Sequence, residues 1–228
     1  MPEERPVVTA LTDVYTALAD LVSSLPEADG WHATPLPGWS VRDLLVHLLG
    51  DAERALVALG TPAAGPADRD AVSYWADFAP AASTPESVRR RDRQIRVVRA
   101  LAVAHPWEVL TRTYAETTAA VCVLAGRTAP DELISTQGHT LTTDDLLGTL
   151  VVEATVHHLD LASGLGRPGP PASGLAVVHH CLDGLLGRPE PVGWDDVTYA
   201  LTGTGRRPLT TVETTELGDD ASRFPLFA

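Results

Sequence analysis

The stretch TTDDLLGTLVVEATVHHLDLASGLG, residues 142–166, decides the fold class. It reads as one long helix, about 142–164, opened by Thr142 or Thr143 as N-cap and closed near Gly164 or Gly166. Inside its apolar run stand a carboxylate and two histidines. Glu153 and His157 are spaced i and i+4, so their side chains share one helix face. That face is otherwise apolar, with Leu146, Leu150, Val156 and Leu161 around it. An ionised glutamate is costly in such surroundings unless it is paired, hydrogen-bonded or metal-bound. A metal ion resolves both burials together. Asp160, three residues past His157, is placed to accept a proton from the second ring nitrogen, as outer carboxylates of metal sites do. His158 lies one residue round the helix and is expected at the surface or in a second layer.

Working outward, the same apolar spacing recurs. VVTALTDVYTALADLVSSL, residues 7–25, is an amphipathic helix. Ser40 followed by Asp43 resembles a capping box, and Trp39 before it can staple against Leu44, so a helix runs from about 40 to 59. VSYWADF, 72–78, is a short helical segment. Helices follow over about 85–104, with Pro85 allowed in the first turn, and over about 107–126, while TAPDELISTQGHTL, 128–141, is a connection. RPGPPASG, 167–174, is a Pro/Gly linker and marks the expected boundary between a helical bundle, 1–166, and a small C-terminal α/β subdomain, 167–228. Within the latter, 175–187 is helical. DDVTYALTGTG, 195–205, and PLTTVETTEL, 208–217, are rich in Val, Thr and Tyr and predict two short strands or a hairpin. The fold class is therefore mainly α, an antiparallel four-helix bundle with a small mixed tail.

Two ligands do not make a firm metal site. His47, in LLVHLLG, is again a histidine among leucines, on the helix with the strongest cap. Ligands from facing helices commonly converge in a bundle core. His47, Glu153 and His157 would give a His₂Glu set, which leaves a coordination position open, as catalytic zinc sites do. The same donors also suit Fe(II) or Ni(II). Taken alone, the residues leave this open, because a histidine on an apolar helix face is more often a hydrogen-bonded core or rim residue. Asp51, four residues after His47, fits an outer carboxylate or an exposed position equally well.

Composition narrows the function classes. The chain has 228 residues, 44% of them hydrophobic, and a net charge of −13, which argues against a nucleic acid partner. No apolar run is long enough for a membrane span, and the opening MPEERPVVTALTDVY shows no secretory signal. All 17 basic residues are arginine, so lysine chemistry is excluded. Cys122 and Cys181 form no C-x-x-C pair and fit buried positions in a reducing cytoplasm.

LPGWSVRDLLVHLLGDAERAL, 36–56, resembles one signature of the mycothiol-dependent maleylpyruvate isomerase family: a Pro-Gly-Trp-Ser/Thr cap, then Val-Arg-Asp-Leu, then a histidine. LVVEATVHHLDLASGLG, 150–166, resembles the other, a Glu, three residues, a His, then Asp-Leu. The resemblance spans most of residues 7–165 and implies a DinB-like bundle in which His47, Glu153 and His157 bind a divalent metal, normally zinc. It further implies mycothiol as thiol cosubstrate: its thiolate attacks an electrophilic carbon of a small substrate. An isomerase of this kind adds the thiol, rotates the bond and expels it, whereas an S-transferase stops at the adduct. A metal-dependent hydrolase and a non-catalytic binding bundle, monomeric or homodimeric, stand as alternatives.

The remaining residues carry weaker readings. Arg206 and Arg207, after the TGTG turn, are candidates to face an anionic substrate or cofactor, against a solvated alternative. Arg89, Arg93 and Arg96 share a helix face that fits solvent better than an anion path. His139 either lines the pocket or caps a loop, and His179 and His180 are read as structural.

Overall fold

The computed structural model describes residues 5–78 and 85–227, without the side chains of 85–87, 90 and 91. The first four residues of the opening MPEERPVVTALTDVY lie outside this range. Helix α1 spans Pro6–Ser23, α2 Val41–Leu59, α3 Pro85–Ala104, α4 Trp107–Ala125 and α5 Thr143–Ala162. The sheet holds β1, Leu133–Thr136, and β2, His139–Thr142. After α5 come α6, Ala172–Leu186, α7, Asp196–Gly203, and α8, Thr211–Leu217.

Four of these helices make the bundle. Each of α1 and α2 packs against both α4 and α5, and α3 lies on the outside of α2. The core is built from Leu11, Val14 and Leu18 of α1, Leu44, Leu45 and Leu48 of α2, Tyr114 and Val121 of α4, and Leu147 and Val151 of α5. Among the described residues, no helix is long and apolar enough to cross a membrane.

Local chemistry sets the helix ends. Ser40 Oγ accepts from Asp43 N–H at 3.3 Å and Asp43 Oδ2 accepts from Ser40 N–H at 2.8 Å, so the capping box forms as expected. Asp43 is then bound by Arg99 of α3, which fastens α3 to the start of α2. Arg42, buried beside it, donates from Nε to Ala102 O at 2.7 Å and also reaches His105 O. Thr142 caps α5 by accepting from Asp145 N–H at 3.1 Å. Arg89, Arg93 and Arg96 are exposed.

Two strands appear where a plain connection was expected. β1 and β2 pair antiparallel, Leu133 opposite Thr142 and Thr136 opposite His139. Gln137 and Gly138 both take positive φ, 48° and 86°, the two-residue turn whose twist suits a hairpin. Ile134 and Leu141 point into the molecule, and Thr142 ends β2 while capping α5.

The strands expected in the tail are corrected to helices. Asp195 Oδ1 accepts from Thr198 N–H at 2.6 Å and starts α7. Thr210 and Glu213 form a reciprocal capping box that starts α8. Capping thus overrides the Val/Thr/Tyr composition of both segments. A second core lies on the far side of α5, where Val152 and Val156 meet Leu175, Val178 and Leu182 of α6 with Tyr199 and Phe227. Val156 therefore faces away from the bundle, not toward Glu153 and His157. The final residues return to the 3₁₀ segment Ser73–Phe78, where Phe227 lies 4.6 Å from the Trp75 ring.

Candidate metal centre

The packing of α2 on α5 brings the three sequence-singled residues together. His47 Nε2 lies 3.0 Å from Glu153 Oε1, and His157 Nε2 lies 3.3 Å from the same oxygen. One donor atom from each residue falls within 4.8 Å of the others. The two imidazole rings meet edge to face with centroids 5.2 Å apart, and Trp39 sets its ring against His47 at 5.6 Å. Trp39 therefore borders the site.

Behind His157 stands a relay of charges. Asp160 is buried, and its Oδ2 accepts from His157 Nδ1 at 2.9 Å. Arg206 donates from Nε to Asp160 Oδ1 at 3.1 Å and from Nη2 to Oδ2 at 2.9 Å. Burial opposes the charge on Asp160, but His157 and Arg206 outweigh it and hold its carboxyl below the usual range. An ionised Asp160 fixes a proton of His157 on Nδ1, which leaves Nε2 as the nitrogen that faces Glu153.

That arrangement calls for a cation. Burial raises the cost of charge on Glu153, yet His157 and His47 offset it and hold the carboxyl well below the usual range. Two imidazole nitrogens and a carboxylate oxygen share one small space when protons or a metal ion sit among them. In the protein alone this is a proton: burial disfavours it, but Glu153 and Asp160 push His157 up to about 9. On the α2 side, Asp51 Oδ2 is buried with no hydrogen-bond partner, 3.3 Å from His47 Nε2. An orphaned carboxylate oxygen and a His₂Glu cluster are the donor chemistry a divalent metal takes. The residues present fit such an ion.

The other expected residues fall elsewhere. Asp51 belongs with the site and not at an exposed position; its Oδ1 pairs with Arg54. Arg206 and Arg207 each have an internal carboxylate in place of an anionic ligand. Arg206 supports Asp160, while Arg207 binds Glu213 Oε1 at 2.8 Å within the α7–α8 segment. His158 is buried and not at the surface, and its Nε2–H donates to Pro168 O of the linker at 3.2 Å. His139 pairs with Asp68 at 3.0 Å on the exposed side of the hairpin. His179 joins Asp196 at 2.7 Å and so ties α6 to α7. Cys181 is buried and Cys122 half-buried. Arg54 and Tyr74 were not singled out from the sequence. Arg54 is detectable, because residues 47, 51 and 54 follow the helical repeat; Tyr74, whose oxygen accepts from Gln137 at 2.8 Å, is not.

A sequence model of the family described as mycothiol maleylpyruvate isomerase N-terminal domain matches residues 11–162. Two solved structures are similar in fold. One is the crystal structure of the mycothiol-dependent maleylpyruvate isomerase, at 19% identity and a TM-score of 0.51, covering 77% of this chain and 68% of that one. The other is a histidine-to-alanine mutant of that enzyme, at 18% identity with the same TM-score and coverage. No curated protein sequence matches the chain.

Proposed function

Because this chain belongs to the mycothiol maleylpyruvate isomerase N-terminal domain family, we propose that it is a metal-dependent enzyme that uses mycothiol on a small electrophilic substrate, as an isomerase or S-transferase. His47, Glu153 and His157 would hold the ion, and zinc is the metal this donor set suits first. The observation that carries the reading is the convergence of one donor atom from each of the three residues to within 4.8 Å. A divalent metal there would supply the positive charge that keeps a thiol deprotonated at neutral pH, so that mycothiol meets an electrophilic carbon as its thiolate.

The chain's own residues do the rest. Glu153 brings the negative charge that draws a cation between the helices. Asp160 holds the His157 ring by accepting from Nδ1, and Arg206 holds Asp160. Trp39 sets its ring against His47 and walls that side of the cluster. Three protein donors leave a coordination position for the thiol. A reducing cytoplasm, where a small thiol stays reduced, is the setting this reading assumes.

The test is metal content followed by thiol placement. The wild type should carry one divalent metal per chain and His47→Ala should lose it. With mycothiol added to the zinc form, X-ray absorption should show a new sulfur at about 2.3 Å from the metal. A wild type without stoichiometric metal overturns the reading. Turnover that persists without any thiol points instead to a hydrolase.

A further inference from the structure

The indole of Trp39 borders the cluster with its N–H unspent. The ring lies edge to face with His47 at 5.6 Å and is half-buried, so part of it stays open to solvent. Its loop is fixed. Trp39 N–H donates to Leu36 O at 3.0 Å, and Trp39 O accepts from Thr34 N–H at 2.9 Å and from Thr34 Oγ1 at 3.0 Å. Gly38 takes a φ of 87°, which a side chain would resist. The ring is thus held in place before a ligand arrives. The other tryptophans differ. Trp107 Nε1 donates to Leu25 O at 3.1 Å and Trp194 Nε1 to Glu213 Oε1 at 2.7 Å. Trp75 is buried, and the Trp31 ring is taken by Arg42 at 5.0 Å and Arg99 at 5.9 Å. Among the described residues no acceptor meets Trp39 Nε1, and the atom is not one of those buried without a partner, so this donor reaches solvent. A flat aromatic surface with a free N–H suits a sugar: the ring lies on it by its C–H face, and a hydroxyl accepts from the indole.

We propose that Trp39 is the sugar platform for the thiol cosubstrate, and so the residue that selects a glycosylated thiol over a simple one. The inference rests on the thiol-and-metal reading above and assigns its cosubstrate a subsite. Mycothiol is N-acetylcysteine joined by an amide to glucosamine, which carries inositol. Five bonds separate its sulfur from the glucosamine ring, a span of about 6 Å at standard bond lengths. The 5.6 Å between the His47 and Trp39 rings is of that order, so a sulfur held beside His47 puts the sugar within reach of the indole. A thiol without the sugar reaches the cluster and leaves the indole bare.

The experiment titrates mycothiol and N-acetylcysteine into zinc-loaded wild type, Trp39→Leu and Trp39→Phe by calorimetry, with zinc content determined in parallel. S-methyl mycothiol, which gives no thiolate, and S-methyl N-acetylcysteine are titrated into the metal-free proteins. Trp39→Leu should raise the Kd of mycothiol and of its S-methyl form about tenfold, through loss of one aromatic stack and one hydrogen bond. Trp39→Phe keeps the stack and should lose about threefold. Zinc content and the Kd of N-acetylcysteine should stay as in wild type, which also shows that the cluster is intact. Should Trp39→Leu fail to fold, Trp39→Phe decides by the same comparison. The proposal is overturned if S-methyl mycothiol binds wild type no tighter than S-methyl N-acetylcysteine, if the variants bind mycothiol like wild type, or if N-acetylcysteine is weakened as much as mycothiol. A wild type that binds no zinc would instead remove the functional reading, while the metal-free titrations would still decide the role of Trp39.

Discussion

Arg206 grips Asp160 through two hydrogen bonds, Nε to Oδ1 at 3.1 Å and Nη2 to Oδ2 at 2.9 Å, across 46 residues of sequence. The contact runs from the turn after α7 to the last turn of α5, so the C-terminal segment reaches the His47–Glu153–His157 cluster through a carboxylate. Both partners are largely buried. Breaking such a pair from one side leaves an uncompensated buried charge, and Arg206→Ala should cost about 3 kcal/mol of stability. The same change frees Asp160 to turn away from His157, so zinc affinity should fall roughly 10- to 100-fold. Thermal denaturation and a chelator competition assay check the two effects separately. Unchanged zinc affinity in a folded Arg206→Ala protein would show that Asp160 needs no support.

The His157 proton yields a second expectation. In metal-free protein this group titrates at about 9, above its ordinary 6.5, because Glu153 and Asp160 outweigh burial. A raised value means the proton stabilises the metal-free fold fully below pH 6.5, and this contribution is lost as pH rises through 9. Metal and proton compete for Nε2, so zinc uptake at pH 7.5 should release about one proton from His157. Affinity should increase with pH and level off above about 9. Calorimetry in buffers of different ionisation enthalpy counts the protons. Uptake without proton release would mean that His157 is neutral before the metal arrives.

The bundle was legible because its signals are local. Ser40 and Asp43 announce α2, Thr142 announces α5, and Glu153 with His157 need only the helical repeat to share a face. The hairpin was not legible. Its strands are four residues long and carry Ser and Thr, and its turn is Gln137–Gly138, without the Asn-Gly or Asp-Gly pair that marks such turns. The tail was misread because β-branched composition was weighed above caps that were present in the sequence: Asp195 three residues before Thr198, and Thr210 three before Glu213. Arg206 was singled out for a substrate anion, since nothing along the chain reveals that Asp160 already holds it. Partner identity across 46 residues is fixed by packing, and periodicity carries no trace of it.

Glu213 makes the tail acid-sensitive. Arg207 is the main cause holding its carboxyl at about 2, with further hydrogen bonds from Thr210 and Trp194. A depressed value means the stabilisation is complete above the ordinary 4.5 and is lost as pH falls from there through about 2. Trp194 Nε1 donates to Glu213 Oε1 at 2.7 Å, so its fluorescence should report the loss. The wild type minus Trp194→Phe difference signal should change below pH 4.5, and Glu213→Gln should abolish that change. A titration that survives Glu213→Gln would assign it to another carboxylate.

Gly174 tests how α6 is seated. A Cβ at this position would lie 2.5 Å from Thr155 Oγ1 of α5 and 2.5 Å from Val14 Cγ2 of α1, so only a glycine permits this approach of three helices. Gly174→Ala should therefore cost about 1–3 kcal/mol through overpacking, despite alanine's better helix propensity. Two separate obstacles imply partial rescue. Thr155→Ala removes the hydroxyl that meets the new methyl and is also a buried oxygen with no hydrogen-bond partner, so in the double mutant it should recover only the α5 share of the loss. Val14 remains in the way on α1. A double-mutant cycle by chemical denaturation measures the coupling. Full rescue by Thr155→Ala would mean that Val14 on α1 yields to the added methyl and that the clash lies with α5 alone.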